Sequence, residues 1–164
     1  MTQVFFVHSA YTACDLEKLR FGSSPDFVQK QFPDALPMFG GPDMPRTILM
    51  MPGEFVCEGE DAFLGAPVEY VFLYGELFEI NVTRLSDQPG LLYWAETIYG
   101  KRADKPQSLI RVEPYGQLMW DTFNSVVVYS YTTEGVDHIE SIRIQSRRHE
   151  NLFERYAKEE EEAI

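Results

Sequence analysis

The stretch from Val68 to Val82, VEYVFLYGELFEINV, constrains the fold more than any other part of the chain. Tyr70 and Phe72 alternate with Glu69, Val71 and Leu73. After Tyr74-Gly75, the residues Phe78, Ile80 and Val82 alternate with Leu77, Glu79 and Asn81. Side chains along a strand point to opposite faces with period two, so each run predicts a strand. The glycine break between them predicts a tight hairpin turn. Each strand has one uniformly apolar face and one mixed face, which is the pattern of a sheet packed on one side.

Val126 to Ile144 repeats this theme. Val127, Tyr129 and Tyr131 share one face, Thr133-Glu-Gly135 supplies a turn, and Ile142 and Ile144 continue on the return strand. The two hairpins lie roughly 57 to 64 residues apart, a spacing suited to a duplicated supersecondary unit. Helix signals precede both. Ser24-Pro25-Asp26 combines an N-cap, a proline at the first helical position and an early carboxylate, with Val28 and Phe32 on one face and Pro33 ending the run. Pro89 to Tyr99 carries an apolar stripe of Leu91, Leu92, Ala95, Ile98 and Tyr99, closed by Gly100. Thr47–Met51, Phe55–Cys57, Ser108–Glu113 and Gln117–Phe123 read as further strands. Pro114-Tyr-Gly116 reads as a turn and Ala35 to Pro45 as a loop. Arg147 to Glu162 reads as a helix with Leu152, Phe153 and Tyr156 on one side, and its acidic last turn is expected to fray.

The expectation is an α+β fold in one domain spanning residues 1–164. It has an antiparallel sheet, short helices on one face and a C-terminal helix. Two similar helix-plus-strands units would cover 22–85 and 86–146, with 147–164 as terminal helix and acidic tail. A chain of 164 residues with 45% hydrophobic and 14% aromatic content can bury a self-sufficient core. Phe21-Gly-Ser-Ser24 before one helix, Tyr99-Gly100 after another, and an aromatic hairpin closing each half (Val71 to Val82 in the first) resemble the small bacterial repeat domains of the β-lactamase-inhibitor-like type and their envelope-lipoprotein relatives. That resemblance implies binding of a protein surface by the sheet, without catalysis.

Charge is distributed unevenly. Between Asp43 and Glu79 lie eight acids and one base, and Glu159 to Glu162 adds four acids, in a chain of net charge −12. Such a field attracts basic partners and repels nucleic-acid backbone and anionic membrane. No stretch approaches the roughly 20 apolar residues that cross a bilayer. The N-terminal apolar run from Val4 to Val7 is shorter than a signal peptide requires, so the expected location is cytoplasmic. Cys14 and Cys57 have no metal-ligand spacing and form no disulfide framework. The expectation is two buried thiols, with a single bridge left open.

No motif for chemistry stands out, and neither a cofactor nor a metal is expected. Ser23 and Ser24 lack the second glycine of a nucleophile elbow. His8, His138 and His149 show no ligand spacing. His138 and Glu140 share a strand face, which reads as an exposed cross-strand pair or, if they line a cleft, as a small catalytic site. Lys101, Arg102 and Lys105 form a compact basic patch suited to a helix C-terminus. The densest acid cluster is Glu54, Glu58, Glu60 and Asp61. The expected function is a non-enzymatic acidic binding protein of inhibitor or immunity type. It would hold a basic protein through those four acids, with aromatic anchors from Trp120, Tyr129 or Tyr131. The alternatives are an acidic nucleic-acid mimic with evenly spaced carboxylates and an enzyme using His138 and Glu140. Direct nucleic-acid binding is not expected. A homodimer through an exposed edge at Thr47–Met51 is a further possibility.

Overall fold

The computed structural model describes residues 14–41, 44–86, 90–100, 115–134 and 137–163. Among these residues, seven strands form one antiparallel sheet: β1 (Leu36–Phe39), β2 (Arg46–Pro52), β3 (Pro67–Leu73), β4 (Glu76–Ser86), β5 (Tyr115–Asp121), β6 (Ser125–Glu134) and β7 (Asp137–Ser146). Their order across the sheet is β1-β2-β3-β4-β7-β6-β5. The first four strands run as one meander and the last three as another, and the two meet where β4 pairs with β7. The helices are α1 (Pro25–Gln31), α2 (Gly53–Val56), α3 (Gly90–Tyr99) and α4 (Glu150–Glu162), with short 3-10 turns at Leu16–Lys18 and Asp61–Phe63.

Cross-strand register turns the alternation in the sequence into a core. One row crosses the sheet as Leu49, Tyr70, Ile80, Ile144, Val127 and Trp120, and the next as Met51, Val68, Val82, Ile142, Tyr129 and Leu118. All twelve are buried. Val28 of α1, Phe63 of the second 3-10 turn and Leu91, Leu92, Trp94 and Ala95 of α3 pack onto these rows. Ser24 caps α1 by accepting the Phe27 amide at 3.2 Å. Tyr74 and Gly75 both have positive φ, 51° and 82°, as a two-residue hairpin turn requires.

Several local expectations are corrected. β4 holds a bulge, because Val71 faces Glu79 while Phe72 faces Leu77. The extra residue moves Leu77 into the core and turns Phe78 to the opposite face, the reverse of simple alternation. There Phe78 stacks on Phe153 of α4 with ring centroids 5.8 Å apart, so α4 covers part of the face away from α1–α3. That helix runs from Glu150 to Glu162 and so begins later than expected. Leu36–Phe39, expected as loop, is the edge strand β1. Ile48, Leu49 and Met50 are therefore paired on both sides, and the Thr47–Met51 stretch is not the sheet edge that was expected to meet a second copy. Phe55 and Val56 belong to a helical turn, not a strand. Tyr115 and Gly116 start β5, while Pro114, Ser108–Glu113 and Lys101, Arg102 and Lys105 lie outside the described residues.

Cys14 and Cys57 are joined by a disulfide with their Cα atoms 5.3 Å apart, which overturns the expectation of two free thiols. The bridge lies against the core, with Cys57 buried and the Cys14 carbonyl accepting the Trp94 indole N–H at 2.9 Å.

Candidate functional site

The connection from β2 to β3, a crossover of residues 53–66, is tightly held at its ends. The Gly53 amide donates to the Ala66 carbonyl at 2.7 Å, which closes the segment into a loop. A methyl group at Gly53 would meet the Phe63 and Ala66 carbonyl oxygens at 2.4 and 2.5 Å, so only glycine lets the two ends approach this closely. Phe63 is fully buried and sets its ring edge-on to Trp94 at 5.2 Å, anchoring the crossover to α3. The disulfide at Cys57 ties the middle of the crossover to Cys14.

On this frame stand the four acids singled out from sequence. Glu58 and Asp61 are exposed. Glu54 and Glu60 are half-buried and accept backbone amides, from Gly65 at 3.3 Å and Cys14 at 3.4 Å. None of the four forms an ion pair among the described residues. Arg84 reaches the segment through the Ala62 carbonyl, at 3.4 Å, not through a carboxylate. Between and beside the acids, Phe55 is 64% exposed and Leu64 is 67% exposed. Sequence reasoning missed both. Their signal was available, since each is a large apolar residue in a run too short and irregular to bury it by period.

The proposed aromatic anchors are placed elsewhere. Trp120, Tyr129 and Tyr131 are at most 6% exposed and belong to the core, so they cannot meet a partner. Alternation put them on the face that also carries Ile142 and Ile144, and that face is the one the helices seal. The acidic stretch as a whole divides. Glu69 and Glu79 lie on the opposite sheet face, where Glu79 accepts the side-chain amides of Asn81 and Gln145. Glu76 sits beside the hairpin turn, 3.4 Å from His149.

His138 and Glu140 share a face but not an environment. His138 is half-buried and its Nδ1 lies 2.9 Å from the Thr133 hydroxyl. Glu140, expected as an exposed partner, is 1% exposed under the start of α3. It accepts the Leu91 and Leu92 amides at 3.4 and 3.3 Å and the Tyr129 hydroxyl at 3.0 Å. The two amides are otherwise unsatisfied donors at the N-terminus of α3, so the carboxylate is a buried cap, braced by the Tyr129 hydroxyl from β6. Burial raises the Glu140 carboxyl above its ordinary range, against the pull of Tyr129, the two amides and Arg84.

A shallow groove of about 320 Å³ crosses the other sheet face, with Glu69, Asn81, Gln117, Ser130 and Arg143 among its lining residues. A second pocket, of about 570 Å³, opens beside His149. Neither includes His138 or Glu140. No group of three or more metal-binding side chains converges among the described residues. Compared with known proteins, the chain matches no family model, no curated protein and no solved structure.

Proposed function

We propose that this chain is a non-catalytic binding protein whose β2–β3 crossover docks against a basic protein surface. The observation that carries this reading is the pairing of exposed Phe55 and Leu64 with Glu54, Glu58, Glu60 and Asp61 on one disulfide-pinned segment. Apolar residues that leave water on contact supply affinity, and the surrounding acids supply steering and register. A crossover already fixed by a bridge and a buried aromatic loses little freedom when it binds.

A nucleic-acid mimic is favoured less, because it calls for carboxylates evenly spaced over one face. Here the acids divide between the crossover, the opposite sheet face, the hairpin turn and α4. Binding through the sheet face, as the family resemblance implied, is also favoured less, since Glu79, Asn81 and Gln145 already satisfy one another there. No helix among the described residues is long and apolar enough to cross a membrane. The disulfide favours an oxidising compartment over the cytoplasm first expected, because cytosolic thiols are kept reduced.

The test starts with a basic partner captured from host lysate at low salt, whose association rate is then measured by surface plasmon resonance. Replacing Glu58, Glu60 and Asp61 by Gln, Gln and Asn should slow association about tenfold at low ionic strength, and the difference should shrink at high salt. Phe55→Ala should instead speed dissociation. Rates equal to wild type in both variants would remove the crossover from the interface.

A further inference from the structure

In a chain of net charge −12, cationic side chains that face one cavity without an acid partner are a local inversion of the field. The 570 Å³ pocket beside His149 shows this. It is lined by Arg20, Arg148, His149, Asn124, Ser146 and Glu17, among others. Arg20 and Arg148 form no ion pair among the described residues, and both are exposed at the pocket rim. Among the described lining residues the acid is Glu17, and it accepts the Tyr99 hydroxyl at 3.3 Å, which engages one of its oxygens.

His149 is held from three sides. The Ser146 hydroxyl lies 2.7 Å from Nδ1, and Glu76 Oε2 lies 3.4 Å from Nε2. The Gly22 backbone abuts the ring, and Gly22 is itself tied to the sheet by donating to the Leu77 carbonyl at 2.8 Å. A serine, a histidine and a glutamate in line resemble a nucleophilic triad. Ser146, however, is only 4% exposed and ends β7, three residues before His149, the N-cap of α4. Its hydroxyl orients the ring and is poorly placed to attack a substrate. With both His149 ring nitrogens engaged, what the pocket offers a ligand is two guanidinium forks and the Asn124 amide.

We infer that this pocket binds a small oxyanion, a carboxylate or phosphate group, with Arg20 and Arg148 as its charge partners. Guanidinium groups match such anions with paired, charge-assisted hydrogen bonds. The inference does not depend on the acidic crossover, and either reading can fail while the other stands.

The experiment is a titration of the isotope-labelled protein with inorganic phosphate and, separately, with succinate, followed by amide NMR at ionic strength balanced with sodium chloride. Saturable shifts at Asn124, Arg148 and His149 are expected with at least one probe. Phosphate alone would indicate a phosphate-bearing ligand, and succinate alone a carboxylate-bearing one. The double variant Arg20→Ala/Arg148→Ala should keep the far-UV circular dichroism of wild type and bind about tenfold more weakly or less. Lys158→Ala, a charge control on α4, should bind as wild type. The inference is overturned if neither probe saturates, if chloride gives the same shifts, or if the double variant binds as tightly as wild type.

Discussion

Replacing Cys14 and Cys57 together by alanine should lower the free energy of unfolding by about 4 kcal/mol, the loop-closure value for a bridge of this span. The two residues are 43 apart in sequence, and the loop they close contains α1, β1 and β2. Untethering frees that whole stretch in the unfolded chain and costs little in the native sheet, because β2 keeps its pairing with β3. The measurement is a guanidinium titration of oxidised wild type, reduced wild type and the double variant. The latter two should share a lower midpoint, with native far-UV circular dichroism in the absence of denaturant. Coincident midpoints for oxidised and reduced protein, or two titratable thiols in the unreduced denatured chain, would contradict the bridge. The same loss of tether should loosen the crossover, so partner dissociation should quicken on reduction even though the acids and Phe55 are intact.

How much of this was legible in the sequence varied with the physics of each element. The Val68–Val82 hairpin could be read because period-two alternation and a glycine turn act over neighbouring residues. α1 could be read because Ser24 and Pro25 mark a helix start chemically. β1 could not, since Pro37 and the flanking glycines and prolines look like loop, and a short edge strand tolerates proline. The bulge at Phe78 was invisible for a different reason. Phe78 and Leu77 are both apolar, so either could face the core until register and the arrival of α4 decide. The bridge was equally hidden, because two cysteines 43 residues apart carry no local signal of proximity.

The site was legible in part. The acids of the crossover were found because charge density is a one-dimensional property. Their division from Glu69 and Glu79 was not, because strand alternation sends those two to the far face. Trp120, Tyr129 and Tyr131 were misread as anchors because composition cannot say which face of a sheet the helices will choose. The pocket at His149 needed tertiary structure, since Arg20 and Asn124 reach it from distant parts of the chain.

Glu140 gives the second large effect. Glu140→Ala should destabilise the fold by about 3 kcal/mol, since it strands the Leu91 and Leu92 amides and the Tyr129 hydroxyl without an acceptor in a buried site. Glu140→Gln, which keeps an oxygen acceptor and the volume, should cost less and should change the pH dependence. The folded carboxyl is raised above its ordinary value of 4.5, with burial as the largest cause. The native state therefore holds this proton more tightly than the unfolded chain does, and its contribution to stability is full below 4.5. The contribution is lost as pH rises from 4.5 through the folded value. Subtracting the Glu140→Gln stability from that of wild type across this range should give a difference that falls as pH rises. A flat difference would mean that the carboxylate is ionised in the native protein at ordinary pK, fully stabilised by the α3 amides. A Glu140→Ala variant as stable as wild type would show that α3 does not depend on this cap.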